Sequence, residues 1–259
     1  MSVVERTLVE RAVRRDRLII AAGLVAIVVL SWAWIIPMAR DMYGPMTGPS
    51  AWMMTGAWDA RHMFLLWCMW SVMMAAMMLP SAAPMLLLYG TAIRNRFNSG
   101  SAAQVYAMTG GYLLVWALFS LAATLLQRVL SGLLLMTPMM ETASPVVAGS
   151  LLVVAGVYQL TPFKATCLHS CRSPLSFITQ HWRTGAGGAF RMGLEHGLYC
   201  VGCCWALMLL LFVGGVMNLW VIVALAIVVL VEKLAAFGAH TTRLSGAVLI
   251  ALGGWTLVR

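Results

Sequence analysis

Apolar runs of about twenty residues alternate with short polar segments along most of this chain. The predicted membrane spans are residues 18–36, 63–89, 103–130, 146–162, 194–216, 219–237 and 244–258. A helix needs about 20 apolar residues to cross a hydrocarbon core of roughly 30 Å. The pattern therefore predicts an all-α, polytopic transmembrane helix bundle of about seven spans, with six as the alternative.

The basic residues predict the orientation of this bundle. Residues 1–17 form a basic N-terminal segment, which we expect to be cytoplasmic because short cytoplasmic loops are rich in Lys and Arg. Residues 18–259 then form a single transmembrane helical domain. Of the 17 Lys and Arg residues, 13 lie on the cytoplasmic side and four lie outside: Arg40, Arg61, Arg128 and Arg259. A cleaved signal peptide is the alternative for the first run, although no small-x-small cleavage site follows it.

Composition argues against a soluble enzyme. Hydrophobic residues make up 62% of the 259 positions, whereas soluble chains have roughly 45–50%. The chain has no Walker loop, no dinucleotide fingerprint and no paired carboxylates, so catalysis is not indicated. The net charge of +9 comes from basic residues that punctuate apolar runs, which is not the basic patch that binds nucleic acid. The lipid bilayer is the expected partner.

Five of the six cysteines fall on the predicted cytoplasmic side, in two clusters that flank a basic loop. The first cluster, in the loop after the fourth span, is Cys167, His169 and Cys171. The second, at offsets 0, 4, 7 and 8 on one face of the fifth span, is His196, Cys200, Cys203 and Cys204. Disulfides rarely persist in a reducing compartment, so clustered thiols indicate metal ligands or redox groups. Free cysteine also packs as a small hydrophobe, which we prefer for Cys68.

Methionines indicate which metal such a site binds. Thiolate and thioether ligands together favour Cu(I), whereas zinc prefers thiolate and imidazole, so we predict Cu(I) with zinc as the alternative. A candidate path for the metal is formed by eight of the 20 methionines: Met42, Met46, Met53, Met54, Met69, Met73, Met77 and Met78. Methionine is also a flexible gap-filler in packed helices, and this alternative stays open for the path.

Two further features have more than one interpretation. Glu232 and Lys233 are an ionisable pair near the inner end of the sixth span, where such residues mark either a pathway or the membrane interface. Cys200 and Cys203 have the spacing of a dithiol redox motif, so a membrane thiol-disulfide oxidoreductase is the alternative function. The additional Cys204, His196 and methionines favour metal binding.

Three segments, residues 73–84, 158–164 and 191–205, resemble a bacterial family of unknown function. Its members are predicted metal-binding integral membrane proteins, and some carry the label copper chaperone. The resemblance extends over nearly the whole chain from about residue 20, and its most specific part is residues 196–204. Together with the ligand chemistry it implies a protein of the bacterial cytoplasmic membrane that handles Cu(I). The ion is either transported or delivered to a cuproprotein, with a cuproprotein or metallochaperone as partner.

Overall fold

The computed structural model describes residues 3–44, 58–97, 102–137, 140–235 and 237–259, with only the backbone described for 3–17 and 95–97. Within these ranges the chain is helical apart from short turns and one isolated bridge between Met136 and Thr142. The described helices, in chain order, are α1 (Val3–Met42), α2 (Ala60–Phe97), α3 (Ala102–Gly132), α4 (Pro145–Gln159), α5 (Pro162–Arg172), α6 (Pro174–His181), α7 (Gly185–Leu209), α8 (Leu211–Gly214), α9 (Leu219–Leu234) and α10 (Gly238–Val258).

Five of the described segments are long and apolar enough to cross a membrane. They are Leu18–Met42, Ala60–Arg94, Ala102–Gly132, Gly185–Gly214 and Gly238–Val258. The pair α4 and α5 makes a sixth candidate, bent by 64° at the break between its two helices. The all-α class is therefore confirmed with five to six candidate spans. The seventh span stays a prediction, since α9 has 16 residues and a length of about 24 Å.

The segment between the predicted fourth and fifth spans differs from the expectation. It was predicted as a long loop, but the structure folds it into α5, α6 and the first turns of α7. Proline occupies the first turn of both α5 and α6, where its missing N–H costs no helix hydrogen bond. Thr161 also caps α5 by accepting a hydrogen bond from the backbone N–H of Lys164 at 3.3 Å. These helices are short and amphipathic, so a search for long apolar runs does not find them.

Close contacts at glycines pack the interior helices directly against one another. A Cβ on Gly193 of α7 would lie 2.0 Å from the carbonyl oxygen of Met108, and one on Gly111 of α3 would lie 2.2 Å from that of Phe190. Only glycine permits this approach, so the backbones of α3 and α7 are in direct contact. The same type of contact joins α4 to α10 at four glycines: Gly149, Gly156, Gly246 and Gly253.

Candidate metal centre

The second cysteine cluster lies on the buried face of α7. The four side chains are 1–3% exposed, and they are His196, Cys200, Cys203 and Cys204. The helix explains this arrangement, because positions four, seven and eight residues apart return to the same side. The face meets α2, α3, α5, α6 and α9.

The bend between α4 and α5 brings part of the first cluster against this face. Cys171 Sγ of α5 lies 4.0 Å from Cys203 Sγ of α7. Cys167 packs against α7 at Gly202, where a Cβ would lie 2.9 Å from the Cys167 sulfur. His169 is exposed and lines a cavity that no described cysteine lines. The structure therefore brings two of the three predicted loop ligands to the α7 thiols and places the third elsewhere.

One methionine of α2 reaches the same place. Met78 Sδ lies 3.9 Å from Cys204 Sγ. The other described members of the predicted path are also buried: Met42, Met69, Met73 and Met77. The remaining three lie outside the described residues: Met46, Met53 and Met54. We call Met78, Cys171, Cys200, Cys203 and Cys204 the sulfur cluster.

Lys233, Tyr112 and Ser81 surround Cys200. The Lys233 ammonium donates to Cys200 Sγ at 2.8 Å and to Ser81 Oγ at 3.2 Å. The Tyr112 hydroxyl lies 3.0 Å from the same sulfur and donates to the Met78 carbonyl oxygen at 3.1 Å. Sequence reasoning singled out Lys233 but missed Tyr112 and Ser81. The sequence did contain a signal for these two residues, since each is a polar side chain inside a predicted membrane span.

Glu232 has different partners from its neighbour Lys233. Its carboxylate accepts from Lys164 Nζ at 2.7 Å and from Gln159 Nε2 at 2.8 Å, and Lys164 and Glu232 are both fully buried. Ser245 of α10 donates to the same carboxylate at 3.3 Å, and Lys164 also donates to Gln159 Oε1. This network fixes α5 beside α9 and α10, and it therefore holds Cys171 in place.

The described side chains are not arranged around a common point where a metal ion could bind. Across the described ranges, no group of three or more His, Cys, Asp or Glu side chains is arranged to hold an ion. The thiols of Cys203 and Cys204 instead donate to the Cys200 carbonyl oxygen at 3.1 and 2.8 Å. His196 Nδ1 is buried and has no hydrogen-bond partner among the described residues, which is unfavourable for a polar atom. Binding of a soft metal would require both thiols to lose their protons and turn from this carbonyl towards the ion.

Comparison with known proteins gives one family. The family model PpoB2, described as copper chaperone, matches residues 67–256, which include α2 to α10 almost completely. No curated protein and no solved structure matches the chain. The matched range contains every residue of the sulfur cluster.

Proposed function

The chain belongs to the PpoB2 copper chaperone family, and we propose that it is an integral membrane protein that binds Cu(I) in the sulfur cluster. The meeting of two cysteine clusters, with Cys171 Sγ 4.0 Å from Cys203 Sγ, is the observation that carries this proposal. The proposed ligands are Cys171, Cys200, Cys203 and Cys204, with Met78 and His196 as their neighbours. Cys167 supports the site by packing α5 on α7.

The chemistry of the cluster favours Cu(I) over zinc. Its described donors are four thiols and one thioether, and soft sulfur ligands of this kind select Cu(I). If two of the four proposed ligands bind Cu(I) as thiolates at one time, the complex has one excess negative charge in a buried volume. The Lys233 ammonium, 2.8 Å from Cys200 Sγ, supplies the compensating positive charge. Lys233 is thus proposed as part of the site, while Glu232 belongs to the network that positions α5.

Delivery is the proposed use of the bound ion. Cys171 is partly exposed, whereas the three α7 thiols are buried. An acceptor thiol of a cuproprotein or metallochaperone can therefore reach Cys171 first and remove Cu(I) by ligand exchange. Transport is the second candidate function, because Met69, Met73 and Met77 are buried along α2 towards Met78. For the alternative function, a membrane thiol-disulfide oxidoreductase, no contact among the described residues gives specific support.

We propose seven spans with a cytoplasmic N-terminus in the bacterial cytoplasmic membrane. Tyr106 of α3 donates to the carbonyl oxygen of Ile19 at 2.9 Å, and Tyr43 after α1 donates to Glu141 after α3 at 3.1 Å. These contacts pair the start of the apolar segment Leu18–Met42 of α1 with the start of α3, and they pair the residues that follow the two helices. The two helices are therefore parallel, and α2 must cross back between them. A reporter enzyme fused after Arg259 is expected outside the cytoplasm, and a cytoplasmic reporter would contradict seven spans.

Cu(I) titration of the purified full chain against a chromogenic chelator tests the metal site. Replacing Cys203 with Ser removes a central ligand, and we expect the affinity to fall by about a hundredfold or more. The estimate follows because loss of even an outer-shell partner costs about 10–100-fold. Cys68→Ser is the matched control, since Cys68 lies on α2 outside the sulfur cluster. Equal Cu(I) stoichiometry and affinity in both variants would contradict the assignment.

A further inference from the structure

A cavity of about 670 Å³ lies between the bend of α4 and α5 and the start of α10. Its wall includes Gln159 at the end of α4, Leu168 on α5 and Thr242 on α10. The described lining contains no residue of α7 and none of the sulfur cluster. The volume falls in the range of about 300–1,000 Å³ that is typical of small-molecule sites.

The ionisable side chains among the described residues of this cavity wall are all of basic types. Arg172, Arg243 and His169 line it, and none of the described lining residues is acidic. Arg172 donates from Nη2 to the carbonyl oxygen of Ala235 at 2.8 Å, which fixes its guanidinium at the wall. Glu232, which accepts from the wall residue Gln159, is already paired with Lys164. The charge of the cavity therefore suits an anion.

The same cavity also has an apolar side. Leu160, Pro162 and Leu168 are part of its lining. Leu160 and Leu244, at the same end of the bundle, are 51% and 67% exposed. The cavity lies where α4 ends and α10 begins, which is the level of the lipid headgroups if these helices cross a bilayer. Basic pockets between transmembrane helices at this level are known to hold anionic lipid headgroups.

We propose that this cavity binds the phosphate headgroup of an anionic phospholipid, with Arg243, Arg172 and His169 as its contacts. The acyl chains then extend along the apolar side past Leu160. The proposal rests on the membrane location given above, and it is independent of copper binding.

Native mass spectrometry of the full chain in detergent, titrated with phosphatidylglycerol or phosphatidylcholine, tests this site. We expect phosphatidylglycerol to bind at least about tenfold more tightly than phosphatidylcholine. Arg243→Gln should weaken phosphatidylglycerol binding by about tenfold, because it removes one charge-assisted hydrogen bond. The control Arg259→Gln removes the same charge at the far end of α10 and should leave binding unchanged. His169→Gln is the second cavity variant, with a smaller expected loss.

Three results would overturn the proposal. These are equal binding of the two lipids, equal affinities of the Arg243 and Arg259 variants, and no loss in His169→Gln when Arg243→Gln fails to fold. Glycerol phosphate distinguishes a lipid from a soluble anion. Competition by millimolar glycerol phosphate would assign the site to a free phosphate ester instead, whereas its failure to compete supports the lipid. Unchanged Cu(I) affinity in the cavity variants would separate this site from the sulfur cluster.

Discussion

Each buried charge near the candidate metal centre has its own partner. Lys164 pairs with Glu232 at 2.7 Å, and Lys233 contacts the Cys200 sulfur at 2.8 Å. Glu232 and Lys233 are adjacent along the chain, but their side chains have different partners, and a pathway that uses both stays a prediction. Because these pairs are buried, the stability of the fold depends on both members of each pair. Loss of one member would leave the other charged and without compensation in a low-dielectric interior.

The Lys164–Glu232 pair gives a prediction at this scale. Lys164→Met should lower the free energy of unfolding by about 3–5 kcal/mol, since it leaves the Glu232 carboxylate buried and uncompensated. The double variant Lys164→Met with Glu232→Gln has no such charge and should recover most of the loss. Thermal and denaturant unfolding in detergent measure both effects. A single variant as stable as the wild type would show that the pair does not hold α5 in place.

At the scale of elements, the contact between α3 and α7 decides the geometry around Cys200. Glycines in both helices let the backbones touch, which places the Tyr112 hydroxyl 3.0 Å from Cys200 Sγ. Small residues at such an interface replace the hydrophobic driving force that is weak between helices in lipid. The two helices would move apart if a side chain were added at this contact.

Neighbouring glycines of α3 provide a matched test of this contact. A Cβ on Gly111 would lie 2.2 Å from the Phe190 carbonyl oxygen, whereas a Cβ on Gly110 meets no atom within 4 Å. Gly111→Ala should therefore lower the free energy of unfolding by about 1–3 kcal/mol through overpacking, and it should also weaken Cu(I) binding. Gly110→Ala should be neutral or slightly stabilising because alanine favours the helix. Equal unfolding curves for the two variants would contradict direct backbone contact.

At the scale of the whole molecule, the sulfur atoms form a series that connects buried methionines of α2 to the partly exposed Cys171 of α5. Met69, Met73 and Met77 are buried on α2, Met78 contacts Cys204, and Cys203 contacts Cys171. This order is compatible with delivery from Cys171 and with transport along α2. The two functions differ in whether copper crosses the bilayer.

Uptake of radioactive copper into vesicles that contain the purified protein separates these functions. Under the proposed delivery function, copper in the vesicle lumen should not exceed that in protein-free vesicles, and the only additional copper should be the Cu(I) bound to the protein, which passes to an acceptor thiol. Uptake that disappears when Met73 and Met77 are both changed to Leu would contradict delivery and support transport. Leucine preserves volume and apolarity, so the double variant removes only the sulfur atoms. Met208→Leu, a buried change on α7, is the control.

The sequence alone was sufficient for the helical class and for the shared face of the four candidate ligands on α7. Both follow from local rules, since apolar run length sets helix length and the helical period places offsets 0, 4, 7 and 8 together. It also indicated Cu(I), because ligand softness is a property of the side chains themselves. The amphipathic helices α5 and α6 were missed, since their apolar positions do not form a long run.

Only the tertiary structure decided which residues meet across helices. The 64° bend after α4 turns Cys167 and Cys171 towards α7 and leaves His169 on the wall of the basic cavity. Tyr112, Lys164 and Ser81 join the surroundings of the site through contacts between residues 5 to 152 positions apart. Such contacts depend on the approach and rotation of packed helices, which no single segment specifies. The sequence therefore determined which types of side chain are available as candidate ligands, and the packing of α2, α5, α7 and α9 determined their arrangement.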